Sequence, residues 1–320
     1  MPLTIIEPHA HFEVLIQLAP ALIKLEEPVT IVCSSASKRE VLNVYPELAS
    51  AISWITKKIP SEPKKDSVLL FTSLQYNRGR WLSWIKKFPT TIVVHNWNFY
   101  MGNPLRAWAR PGETKYSFLQ YSFEKNLRFH FKRSLSQKIL SHTDILLPYS
   151  PLQTPFLKEH YPSAVMEWPI IYKKASNSIG AYDLIPIYGK VAHLDNYYIK
   201  QIQSNLHPHQ ICLCQPHEKK TLQKYFPHSE YIFTPLSHAT YIDLFKKAGR
   251  VIFPFRQEMV FGVVREILGK TKYLARIYTA LMYNKTVLMP PSIPFPPPLP
   301  PQSALDSALS NLIKYLRDTP

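Results

Sequence analysis

Apolar positions along the chain alternate between two spacings. Short runs in which nearly every residue is apolar are separated by longer stretches in which apolar residues recur every third or fourth position. The runs at 3–6, 29–33, 52–55, 67–71, 91–95 and 144–148 predict buried strands, rich in Ile, Val and Leu. Between them the longer spacing predicts helices near 12–24, 75–87 and 115–142. The second half repeats the theme, with strands near 185–188, 210–214, 231–233, 250–254 and 286–289. Its helices are predicted near 196–205, 218–225, 241–247 and 271–283. Such alternation predicts an α/β fold with parallel sheets covered on both faces. Ligands of such sheets bind beyond the carboxyl ends of the strands, so residues 7–11, 72–80 and 95–100 draw attention.

The chain of 320 residues is long enough for two domains. Composition shifts at 161–178, where EWPIIYKKASNS mixes Pro, Lys, Ser and Asn, so the halves are placed at 1–165 and 166–290. Beyond them, eight of the twelve residues from Pro290 to Pro301 are proline. Proline lacks an N–H and fixes φ, so 291–302 is expected to be an extended polyproline II spacer. It would carry a last helix, within 303–320, back to the first half. A ligand for an SH3-like domain is the other reading of this segment.

Charge narrows the partners. Lys and Arg number 38 against 22 Asp and Glu, a net charge of +16. That balance favours anionic partners: nucleotide phosphates, anionic lipid or nucleic acid. Cys33, Cys212 and Cys214 make no disulfide framework, and with His207, His209 and His217 they match no zinc spacing, so core thiols in a reducing cytoplasm are expected. No apolar run reaches the ~18–20 residues of a spanning helix, and MPLTIIEPHAHF lacks the features of a signal peptide. A cytoplasmic protein is therefore expected, with a peripheral membrane contact open to it. No G-x-G-x-x-G and no P-loop is present.

Candidate chemistry concentrates in 250–290. Glu258 and Glu266 are separated by seven residues, and the basic turn Gly269-Lys270-Thr271-Lys272 is read as opening a helix. A helix start offers free N–H groups and partial positive charge to a phosphate.

The order of segments resembles the GT-B-fold glycosyltransferases, of the group 1 or family 4-like kind, over most of the chain. TIVVHNWNFY (91–100) is similar to their N-domain strand ending in His-Asn, and DILLPYSPLQTPFL (144–157) to the segment closing that domain. AVMEWPIIY (164–172) is similar to the crossover, IPIYGKVAHLDN (185–196) to the first donor-domain strand and loop, and 250–290 follows in place. The resemblance implies two Rossmann-like domains facing a cleft, with a C-terminal helix crossing back to the first. It implies transfer of a sugar from a nucleotide sugar to a glycan or lipid-linked acceptor. Donor contacts would come from Gly189, Lys190, Arg256, Glu266, Lys270, Thr271 and Lys272. His95, Glu258 and His11 are the catalytic candidates, with His9, Glu13 and Asn96 on the acceptor side. The chain departs from the family in having EPHAHFE at 7–13 in place of a glycine-rich acceptor loop. It also has Gly262 four residues after Glu258 where the E-x7-E pattern has glycine after three. No D-x-D motif occurs, so no metal and no cofactor are expected. The basic aromatic stretch 115–140 is a candidate contact with anionic lipid. A nucleic-acid-binding protein, for which no motif is found, and an inactive GT-B scaffold are the competing readings.

Overall fold

The computed structural model describes residues 1–7, 11–56, 62–73, 78–95, 97, 117–123, 129–161, 165–174, 180–187, 191–261 and 264–318. The first sheet has six parallel strands: β1 (Leu3–Ile6), β2 (Val29–Val32), β3 (Ser53–Ile55), β4 (Val68–Phe71), β5 (Thr90–Val94) and β6 (Ile145–Pro148). Their spatial order is β3-β2-β1-β4-β5-β6, with the chain reversing direction across the sheet at β1 and β4. Every residue of β1, β4, β5 and β6 is buried, as expected of strands covered on both faces. The cover is α1 (Phe12–Lys24), α2 (Ser35–Val44), α3 (Leu48–Ala51), α4 (Arg78–Ile85), α5 (Phe118–Phe123) and α6 (Phe129–Leu140). A seventh helix, α7 (Thr154–His160), follows β6.

The second sheet has five parallel strands: β7 (Asp183–Pro186), β8 (Gln210–Cys214), β9 (Glu230–Phe233), β10 (Arg250–Ile252) and β13 (Thr286–Leu288), ordered β13-β10-β7-β8-β9. Its helices are α8 (Asn196–Ile202), α9 (Lys219–Leu222), α10 (His238–Lys247) and α11 (Ala275–Met282). Between β10 and α11 stands an antiparallel hairpin, β11 (Glu258–Phe261) and β12 (Val264–Ile267). Both sheets carry Rossmann-like strand order, so the α/β expectation holds.

After α7 the chain crosses over beside the first sheet, where Val165 bridges to Leu146, and Trp168, Ile170, Ile171 and Tyr172 are buried along the way. The proline-rich return runs beside this crossover, and Trp168 and Ile171 share a cavity with Pro297 and Pro300. From Ile293 to Leu299 every third residue turns inward, with Ile293 and Pro296 buried and Leu299 half-buried, matching three residues per turn of polyproline II. Two backbone carbonyls tie it down: Pro294 O accepts from Tyr273 Oη at 3.1 Å and Pro300 O from Lys173 N at 2.9 Å. Gly269, at φ +81°, lies against the Pro294 ring; a Cβ there would sit 2.2 Å from Pro294 Cγ.

The last helix, α12 (Gln302–Asp318), buries Leu305, Leu309, Leu312, Ile313 and Leu316, a single helical stripe. It packs on α1 of the first sheet. Lys24 reaches Asp306 at 2.6 Å and Arg317 reaches Glu27 at 3.2 Å across this contact. The C-terminal helix thus crosses back as expected.

Candidate functional site

Glu7 follows β1 directly and is buried. Its carboxylate accepts from His11 N at 2.9 Å and from Ser37 Oγ at 2.8 Å, which fixes where α1 begins. His11 precedes α1, and its Nδ1 meets Glu13 Oε1 at 2.9 Å. A carboxylate only accepts, so Nδ1 carries the hydrogen and Nε2 is left as the basic nitrogen. The His11 ring stacks on His95 at 4.2 Å, and His95 stacks in turn on Tyr149 at 4.3 Å. His95 Nε2 donates to Thr72 O at 2.9 Å. Burial, then His11 nearby, holds the His95 pKa well below the usual value. Burial also opposes charge on His11, but Glu13 beside it and Glu7 outweigh this and raise its pKa. The two stacked rings are therefore biased in opposite directions. His95 is buried between two rings, with its Nε2 turned to Thr72 O.

The hairpin β11–β12 changes the reading of 258–272. Glu258 and Glu266 lie on antiparallel strands, not on a loop before a helix. Glu258 is exposed and pairs with Arg265 at 3.3 Å. Glu266 is buried and accepts from Thr271 Oγ1 at 2.6 Å, while Thr271 Oγ1 accepts from Ile267 N at 2.9 Å. This carboxylate thus braces the turn rather than standing open to a ribose. The helix expected from 271 starts at Ala275, because residues 268–272 close a tight turn with Gly269 N donating to Lys272 O. Lys270, Thr271 and Lys272 are therefore not at a helix start. Lys270 Nζ lies over the Phe156 ring at 5.5 Å. Lys272 points between the halves, where burial pulls its pKa down to about 8 against the pull of Glu266. Arg256 is exposed, and its Nε donates to Leu194 O at 3.1 Å. His9, Asn96, Gly189 and Lys190 lie outside the described residues.

The same turn joins the two halves. Thr271 O accepts from Trp97 N at 2.9 Å and from Gln153 Nε2 at 3.1 Å. Ser150 Oγ and the Tyr278 hydroxyl are hydrogen-bonded next to it. Beside this junction opens a cleft of about 480 Å³. Phe12 and Glu13 from α1 and Glu40 from α2 form one wall. The opposite wall is the loop after β9, Thr234 to Leu236, with His238 and the first turn of α11. The α11 start has no side-chain cap, and Arg276 there lines the cleft while donating to Pro186 O at the end of β7. The carboxyl ends of strands from both sheets thus converge on one space. A second cavity, of about 350 Å³, continues it and shares Glu13, His238 and Thr279.

Arg276, Glu40, Tyr149 and Thr279 had not been singled out from sequence. Tyr149 was the most accessible to such reasoning, since it follows β6 immediately. Arg276 was masked by the misplaced helix start. Within 115–140, α5 leaves Phe118, Leu119 and Phe123 exposed. Among the described residues no helix is long and apolar enough to cross a membrane. All three cysteines are buried and unpaired, and burial pushes the Cys33 thiol up to about 12.

No protein-family profile and no curated protein sequence matches the chain. Among solved structures it is similar to Anabaena HepE in complex with UDP, at 10% identity and TM-score 0.49, over 98% of this chain and 89% of that one. It is similar to the glycotransferase of kitacinnamycin at 9% identity and TM-score 0.46, over 99% and 94%. A UDP-glucosyltransferase from Polygonum tinctorium, capable of glucosylating indoxyl, follows at 10% identity and TM-score 0.45, over 99% and 91%. With scores below 0.5, the chemistry rests on the geometry of this chain alone.

Proposed function

We propose that the chain is a glycosyltransferase that moves a sugar from a nucleotide-sugar donor to a hydroxyl of a glycan or lipid-linked acceptor. One observation carries the reading: strand ends of two Rossmann-like sheets face a single cleft, with Glu13, the partner of His11, on one wall and a cationic, uncapped helix start on the other. His11 Nε2 would take the proton of the acceptor hydroxyl, with Glu13 stabilising the imidazolium that forms. The acceptor oxygen then bonds to the anomeric carbon as the bond from that carbon to the diphosphate oxygen breaks, inverting configuration. Arg276, the α11 N–H groups and Lys272 would meet the charge gathering on the departing nucleoside diphosphate. Cations in these places support transfer that needs no metal. The neighbouring UDP complex makes UDP the first nucleotide to test.

The exposed Phe118, Leu119 and Phe123, set in a basic stretch, support a peripheral contact with an anionic membrane and thus a lipid-linked acceptor. A cytoplasmic site at the inner membrane face is the matching location.

A thermal-shift screen with UDP, GDP, TDP and CMP tests the donor site, since a ligand of the folded state raises Tm by mass action. The expected result is a selective shift with one nucleotide that Arg276→Ala abolishes. Binding of oligonucleotides with steep salt dependence, and of no nucleotide, would replace this reading with nucleic-acid binding.

A further inference from the structure

The smaller cavity leads away from Glu13 between α1 and α2 on one side and α10 and α11 on the other. Tyr45, Tyr172 and Tyr283, from three separate segments, line it. Tyr45 is hydrogen-bonded to Tyr172 and is close enough to Tyr283 to act on its hydroxyl, so the three form one cluster. Burial pushes the Tyr283 hydroxyl up to about 12 and the Tyr172 hydroxyl higher, so both stay protonated donors.

Two lysines lie on this cluster. Lys174 Nζ is 5.8 Å from the centre of the Tyr45 ring, and Lys246 Nζ is 5.6 Å from that of Tyr283. Among the described residues neither is in an ion pair with a carboxylate. Of the two carboxylates of the lining, Asp243 is paired with Lys247 at 2.7 Å and Glu13 is hydrogen-bonded to His11 at 2.9 Å, so Lys174 and Lys246 face one carboxylate without a lysine or arginine partner. The cavity therefore has a surplus of positive charge, with hydroxyl donors beside it. Lys174 also acts on His238, which stands in the wall shared with the larger cleft.

We propose that this cavity binds an anionic group of the acceptor, a phosphate or a carboxylate, and so presents the acceptor hydroxyl toward the His11–Glu13 pair. The proposal rests on the transferase reading for the role of the bound molecule. Charge-assisted hydrogen bonds from Lys174 and Lys246 would hold the anion. The donor's own diphosphate is assigned to Arg276 across the shared wall, so the two anions occupy separate places.

Calorimetric titration of the full chain with glycerol 3-phosphate and with glucuronate, with glucose as the neutral control, tests this with and without saturating UDP. The expected result is that one anion binds, glucose does not, and UDP does not displace the anion. The double variant Lys174→Gln/Lys246→Gln should weaken the anion by about tenfold or more, with its Tm and its UDP affinity unchanged. Which anion binds separates a phosphate-bearing acceptor from an acidic sugar. Equal anion binding by wild type and variant, competition between anion and UDP, or no anion binding while UDP binds would each overturn the subsite alone. Lysine-dependent anion binding by a chain that takes up no nucleotide would overturn the transferase reading and with it the acceptor role.

Discussion

At the scale of single residues, three titrating groups in contact set the expected pH behaviour. His11 acts through its unprotonated form, so transfer should rise with pH through a value above the ordinary 6.5. Replacing His11 with Ala should cut turnover by about 10²–10⁴-fold while leaving nucleotide binding intact; equal turnover would exclude it as the base. His95 contributes with the opposite sign. It is held neutral, so the unfolded chain binds more protons below about 6.5. Its part of the stability is complete above that value and is lost as pH falls toward the depressed folded value. His95→Gln should therefore flatten the loss of Tm between neutral and mildly acid pH, read by calorimetry. Lys272 loses its charge as pH rises through about 8 in the free protein. Nucleotide affinity should fall above that pH, and the Lys272→Met variant should bind more weakly without showing that fall.

At the scale of elements, what the sequence revealed was whatever apolar spacing alone decides. β1 and β8 fall where the spacing puts them, and α1 runs through Pro20 to Lys24 because eight buried residues hold it together. α12 was equally legible from its leucine stripe. Truncating that stripe with Leu309→Ala should cost about 2–5 kcal/mol, measured by denaturant unfolding, and an unchanged midpoint would mean that the α1–α12 contact is not structural. The α2 helix went unread: only Ser37 and Val41 are buried, so its apolar signal is faint, and its clearest mark is the Ser34 cap. The hairpin β11–β12 was missed for a related reason. Its Glu258–Arg265 pair and the buried Glu266 give this short hairpin the polarity of a charged loop. The misreading carried the helix start four residues too early and drew attention to Lys270 and Thr271 rather than to Arg276. Of the stretches after strands, Glu7, His11, Thr72 and His95 stand together, whereas Glu258 and Glu266, read from a motif spacing, lie on a hairpin. Strand ends are fixed by sheet geometry, whereas a motif spacing transfers only when the element beneath it is the same.

At the scale of the whole molecule, one carbonyl of the second half takes two hydrogen bonds from the first. Thr271 O receives both Trp97 N and Gln153 Nε2, and the same turn carries Lys272 toward the histidines. Changing Gln153 to Ala should speed hydrogen exchange at the Trp97 amide more than at strand amides of either sheet. Exchange that stays unchanged would show that the side chain adds nothing to the junction.

The packing of α12 on α1 also orders events during synthesis. The first sheet is made early, but the helix that covers α1 leaves the ribosome only after both sheets, at about 5–20 residues per second. The strands from Asp183 to Leu288 emerge sooner and contain every partner that their own sheet needs. The second sheet can therefore finish before the first is sealed, while the apolar flank of α1 stays open to chaperones until α12 arrives. A chain interrupted before Gln302 would carry a completed second half beside an unsealed first one, a natural mark for proteolytic clearance.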